Sequence, residues 1–470
     1  MRIVTVIVVT LVLAACGNET APPATLSPAA TAATDYLSAE LRARVEELKT
    51  AVRNSPSDNS SVAERSRLVF DWINAYALSG GYIPVNATQT VLRIGGYGLP
   101  SPEEVDDLIA ELALVDEEPQ AIGPLALEPP GPFIAGSLAT FTQIYTVGSR
   151  PVQTGGGFLV ANHFNANNGQ FQTADPAAAN YLTVSSSNPA VSFTVAGFAV
   201  AGMHGGFRGA QDQLVFRVAD GTLNTGDQVR ITYGDTRGGG SGLEMPDFNS
   251  EAMPFPLYVD LDGSDLWLSI PIQPVPVVGS TIEQVTGFAP SIVAPGETVS
   301  LSVRAADGYG NRAQGAIPDW DIRDQQGNLL ASIPSADSAV TVAELTFSQP
   351  GIQRLTMTAS DGSLSGEFNP ILVQENPVNR IYWGETHGHS GFSEGIGTAD
   401  AYMLFARDEA RLDFVTHSEH DMWMDDKEWE LLRRMVQKYN EEGRFLAYLG
   451  YEWTIARTQG GHHNVLYRTP

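Results

Sequence analysis

Two histidines one residue apart, His387 and His389, sit in the stretch YWGETHGHSGFSEG (382–395), with Glu385 just before them and Glu394 just after. The chain holds eight histidines, and six of them (His387, His389, His417, His420, His462, His463) fall within its last 84 residues. His163 and His204 stand singly and carry no functional reading. Imidazole and carboxylate groups gathered in this way can bind Zn²⁺, Mn²⁺ or Fe, whereas a thiolate site is excluded because the one cysteine is Cys16. In extended chain successive side chains alternate sides, so His387 and His389 project to one face and Glu385 joins them.

These residues need elements that bring them together. Strand-like runs alternate with helices over this stretch: IYWGE, a helix from Ala399 to Arg407, LDFVT, and a helix with Trp429, Leu432, Val436 and Tyr439 in register. RFLAYLGYEW and NVLYR follow. Such alternation predicts a parallel β/α sheet or barrel, in which reacting groups collect at the carboxyl ends of the strands. One strand ends in THSEHD and the next in GYEW, and His462 precedes the last. Arg407 and Arg457 read as helix-face or surface residues.

The motifs GETHGHSGFSEG, LDFVTHSEHD, GYEW and GGHHNVLY resemble, in order, the first metal-binding motifs of the PHP (polymerase and histidinol phosphatase) superfamily. The nearest likeness is to its uncharacterised bacterial branch, the domain of unknown function 3604 family. LNTGDQVRITYGD and PGETVSLSVRAADGYGN look like the β regions that precede the catalytic part there, so the resemblance spans about the last two thirds of the chain. It implies a distorted β/α barrel that holds up to three divalent metals (Zn, Mn or Fe) and hydrolyses phosphoesters. By position, it implies that His387 and His389 are paired ligands, that Glu394 and His420 are further ligands, that Glu452 bridges, and that His462 follows. Glu419 stands where the family has Asp. Glu385, His417, Glu419 and His463 are expected to support the ligands rather than bind metal. The family's closing Asp-and-His motif, with its proton donor, has no counterpart here. The expectation is therefore a metallohydrolase lineage whose barrel is incomplete in these 470 residues.

The rest of the chain bounds this reading. A formal charge of −27 argues against nucleic acid as a partner, since phosphate contacts need clustered Lys and Arg. Arg2, the apolar run Ile3 to Leu13 and the small-residue sequence Leu13-Ala14-Ala15-Cys16 read as a signal peptide over 1–15, resembling the lipobox of bacterial lipoproteins. That likeness implies lipid attachment at Cys16 and anchorage in the bacterial cell envelope, at the outer membrane or periplasmic face. With no second cysteine, the exported parts must fold without disulfides. Residues 16–34, rich in Ala, Pro and Thr, read as a disordered tether. Apolar stripes over 35–130 predict a helical region. Short runs of period two predict a β-sandwich-like domain over 131–276 and an immunoglobulin-like β-sandwich over 277–375. The incomplete barrel occupies 376–470. A rival reading makes the protein a lipoprotein that binds glycan or another envelope component, with a degenerate terminal unit. A third makes the histidines a structural metal site.

Overall fold

The computed structural model describes residues 122–468 except 164, 199–209, 266, 271–274, 392, 394, 422–423, 425 and 455–460, together with Ala43, Glu47, Leu48 and Thr50. The expected signal peptide, the lipid site Cys16, the tether and Glu394 lie outside the described residues, as does nearly all of the helical region. Of that region Ala43, Glu47, Leu48, Thr50 and Ile122 are helical and Leu48 is buried, whereas Leu125–Glu128 departs from the expected helix and is already an edge strand of the sandwich that follows.

The first β unit packs a four-stranded sheet (Leu125–Glu128, Phe141–Thr146, Gln228–Tyr233, Thr183–Ser186, in that order) on a five-stranded one. The second runs Leu268–Ser269, Leu257–Asp260, Gly157–His163, Ala210–Asp220, Ser192–Phe198. All pairings within these two sheets are antiparallel. In Gln228–Tyr233 the expected alternation is plain, with Val229, Ile231 and Tyr233 buried. Gly157–His163 shows none, because both its faces are covered. Phe158 and Val160 join the main aromatic core, and Leu159 and Ala161 join a second cluster with Trp267. The buried amide of Gln143 is matched on both sides: its Nε2 donates to the Phe255 carbonyl (2.7 Å), and its Oε1 accepts from Tyr233 Oη (2.8 Å).

The second β unit is also a sandwich. Thr298–Ala306 lies between Gln284–Phe288 and Val340–Thr346, and faces a sheet of Leu329–Ile333, Trp320–Asp324, Leu355–Ala359 and Ser365–Glu367. Leu301, Val303, Trp320, Ile322 and Met357 fill the space between. The two β units are tied at one turn. Buried Asp307 accepts the N–H groups of Ser280, Tyr309 and Asn311, and Asn311 donates from Nδ2 to Asp247 O (2.8 Å) while its Oδ1 accepts from Asn249 N (2.8 Å).

The terminal unit begins with a three-stranded parallel sheet, Gly384–Glu385, Phe414–Thr416 and Leu446–Tyr448. Thr398 caps the helix Ala399–Leu404, accepting Ala401 N–H at 3.1 Å, and that helix widens into a π-helical turn over Phe405–Glu409. The amphipathic helix Asp426–Tyr439 lays Leu432, Val436 and Tyr439 against Met403, Val415 and Ala447. Here the parallel arrangement expected of alternating strands and helices is present.

It does not continue. Gly450–Thr454 pairs antiparallel with His462–Leu466. The reason is connection length: residues 455–461 number seven, whereas a parallel crossover needs about a dozen or more. The terminal unit is docked on both sandwiches. Arg380 forms a bidentate pair with Glu297 (2.7 and 2.9 Å), and Trp383 Nε1 donates to Ser291 Oγ (3.0 Å). Glu251 of the first sandwich accepts both the N–H and the hydroxyl of Thr398 (3.1 and 2.7 Å).

Candidate metal centre

The segments that carry the histidines meet at the carboxyl ends of the parallel strands. The loop after Gly384–Glu385 holds His387 and His389, the segment after Phe414–Thr416 holds His417 to His420, and the hairpin supplies Glu452 and His462. Backbone contacts clamp these pieces together. Ser418 N donates to Gly388 O (2.9 Å), Glu452 N to Glu419 O (2.9 Å) and Asp421 N to Glu452 O (3.0 Å).

Glu452, only 2% exposed, is the hub. Its Oε2 lies 3.0 Å from His387 Nε2 and 3.2 Å from His389 Nε2, and those two nitrogens are 3.2 Å apart. Its Oε1 lies 2.7 Å from His462 Nδ1. His420 Nδ1 is 3.7 Å from Oε2 and 2.7 Å from Thr454 Oγ1. Among the described residues two donor groups thus form, His387–His389–Glu452 and His420–Glu452–His462, each with its donor atoms within 4.8 Å of one another. The carboxylate belongs to both.

The donor set fits a divalent cation. Nitrogen and oxygen donors without thiolate suit Zn, Mn or Fe. Glu452 Oε2 and the two Nε2 atoms beside it stand 3.0 to 3.2 Å from one another, comparable to the roughly 3.3 Å edge of a tetrahedral zinc site. The site is also open on one side: the side chains of His387 and His462 are 54% and 46% exposed, against 15% for His389 and 5% for His420.

Strand pairing separates the two adjacent histidines. Thr454 pairs with His462 and Trp453 with His463, so His462 shares the face of Glu452 while His463 lies beside the Trp453 ring on the other face, centroids 6.1 Å apart. Glu385 is not drawn into the cluster. Its Oε1 accepts the N–H groups of Thr386 and His387 (2.8 and 2.9 Å).

Behind the candidate ligands lies a buried polar layer. Glu419 is 0% exposed, and its Oε1 accepts from Ser390 N (2.8 Å), Ser390 Oγ (2.6 Å) and His417 Nδ1 (3.1 Å). The Ser393 hydroxyl donates to Oε2. Burial pushes the Glu419 carboxyl up, but hydrogen bonds from His417, Ser390 and Ser393 outweigh it and hold the group below the usual carboxylate range. His417 is buried against the Tyr402 ring (4.2 Å between centroids), with Nε2 3.3 Å from Ala399 O. Ser390, Ser393 and Thr454 were not singled out from sequence. The spacing of both serines after His389, in HSGFS, was the available signal.

Comparison with known protein families reaches most of the terminal unit. A family model described as "Protein of unknown function (DUF3604)" matches residues 397–470, which takes in His417, Glu419, His420, Glu452 and His462 and begins after His387 and His389. An uncharacterized protein of Chlamydia trachomatis is 25% identical over 260 residues, covering 52% of this chain and 41% of that protein. One of Chlamydia pneumoniae is 24% identical over 248 residues, with 49% and 39% covered. The chain thus matches about two fifths of the length of these curated relatives. The solved D00-D0 domain of Intimin aligns with 53% of this chain and 100% of its own, at 10% identity and a TM-score of 0.21.

Proposed function

We propose that the protein is a metal-dependent hydrolase of PHP type, acting on phosphate esters and anchored to the bacterial envelope through Cys16. The observation that carries the reading is the position of Glu452, whose two oxygens face different imidazoles. Divalent cations held there would polarise a phosphoryl oxygen and lower the pKa of a coordinated water.

The chain's own residues do the rest. His387, His389 and Glu452 supply one set of ligands, and His420, Glu452 and His462 the other. Three protein ligands per set leave positions for water and substrate, as in catalytic rather than closed structural sites. The exposed sides of His387 and His462 leave a path for an ester to reach those positions. The buried layer beneath fixes the ligands, so that the site need not reorganise as charge develops.

The experiment is hydrolysis of p-nitrophenyl phosphate by the full chain with Mn²⁺ or Zn²⁺ added, beside His387→Ala. Metal-dependent turnover that falls by a factor of about 100 or more in the variant supports the reading. Equal rates in both proteins contradict it. Anchorage is tested separately, by incorporation of labelled palmitate that Cys16→Ser abolishes.

A further inference from the structure

Among the described residues, the most thoroughly buried carboxylate beside the candidate metal centre, Glu419, is not one of its proposed ligands. Four donors already converge on Glu419: the N–H and hydroxyl of Ser390, Nδ1 of His417 and the hydroxyl of Ser393. An ionised carboxylate offers about four lone-pair positions, so these donors satisfy it.

Proton counting then reaches His389. Ser393 has one hydroxyl proton, and it is committed to Glu419, because an ionised carboxylate can only accept. The 3.0 Å contact between Ser393 Oγ and His389 Nδ1 must therefore run the other way, with the ring N–H donating and the hydroxyl oxygen accepting. A neutral imidazole carries one proton. With that proton on Nδ1, Nε2 keeps its lone pair, and Nε2 is the atom 3.2 Å from Glu452 Oε2 and 3.2 Å from His387 Nε2.

From this geometry we infer that Ser393 and Glu419 are positioning residues that lock His389 in its Nδ1–H tautomer and so present Nε2 as a metal ligand. The purpose of the lock rests on the metal-binding reading above; its geometry does not. A ligating histidine whose other nitrogen is held by such a partner is fixed in both orientation and basicity. The lock is built deep in the unit. His417, whose Nδ1 meets Glu419, lies with Nε2 3.3 Å from the carbonyl of Ala399, at the start of a helix whose cap, Thr398, is held by Glu251 of the first sandwich.

A purely structural role for Glu419, tying the loop 388–395 to the segment 417–420, would predict lost stability without any movement of the His389 proton. Ring-¹⁵N histidine spectra of the full, metal-free chain separate the two, with His389 assigned by its absence in His389→Asn. The inference expects the Nδ1–H tautomer in the unsubstituted protein. In Ser393→Ala and in the isosteric Glu419→Gln it expects the proton to shift towards Nε2, with Co²⁺ affinity reduced about 10–100-fold. Circular dichroism verifies that the variants are folded. A proton on Nε2 of His389 in the unsubstituted protein overturns the inference, and so does an unchanged tautomer in either folded variant. If neither variant folds, the unsubstituted spectrum alone decides. An Nδ1–H tautomer in a protein that takes up no Co²⁺ supports the lock while counting against the proposed metal chemistry.

Discussion

His387 Nε2 and Glu452 Oε2 stand 3.0 Å apart although 65 residues separate them in the chain. Two parallel strands, two helices and the first strand of a hairpin are needed to close that gap. The contact therefore depends on packing remote from the ligands, and several consequences can be measured.

Gly450 starts the strand that carries Glu452, and a Cβ there would meet Thr416 Oγ1 at 2.6 Å and the Val465 carbonyl oxygen at 2.8 Å. Neither neighbour can yield freely, since Thr416 Oγ1 donates to Tyr448 O and Val465 lies in the paired strand. Gly450→Ala should destabilise the unit by about 1–3 kcal/mol, read as a lower urea midpoint. An unchanged midpoint would show that the hairpin is not packed this closely on the sheet.

Arg411, just past the Ala410 cap of the π-helical turn, has φ +55°, while Leu412 N–H closes back on Ala406 O at 2.9 Å. This is the position where glycine is favoured, because a side chain there strains the backbone. Burial and the neighbouring charges of Arg444 and Arg407 also press on the guanidinium, lowering its pKa to about 10. Arg411→Gly should therefore raise stability by about 0.5–1 kcal/mol. A loss of stability would mean that the arginine makes a contribution that outweighs the strain.

Asp307 titrates below its ordinary value. Burial raises it, but the N–H groups of Ser280, Asn311 and Tyr309 together with the Asn311 amide prevail. A carboxyl depressed in the folded state adds stability above its unfolded pKa, near 3.9, and loses it as pH falls through the folded value. Asp307→Asn should cost roughly 1–3 kcal/mol at pH 7, because an amide N–H₂ cannot accept from these donors. The difference from the unsubstituted protein should narrow below about pH 4. A deficit independent of pH would assign the effect to packing alone.

Much of the site could be read along the chain because its residue types are scarce there and their spacing is regular. The strand expected to carry His387 and His389 ends at Glu385, and both histidines lie in the loop that follows, whereas Glu452 does sit on a strand, Gly450–Thr454. Strand period two, applied across a strand pair, puts His462 and not His463 beside Glu452. The antiparallel return of His462–Leu466 departs from the alternation of strands and helices because the connection before it is too short for a parallel crossover. Ser390 and Ser393 gave little sign of their role, since a serine's value here depends on Glu419 arriving from another strand. Burial on both faces likewise erased the alternation of Gly157–His163, a tertiary effect that no local pattern carries.

The central claim is that Glu452 serves two cation sites at once. Co²⁺ titration of the metal-free full chain, followed by absorption and by equilibrium dialysis, tests it most directly. The account predicts at least two equivalents bound by the unsubstituted protein, loss of both in Glu452→Gln, and loss of one in His387→Ala. Binding of a single equivalent, or a Glu452→Gln protein that still takes up two, would contradict it.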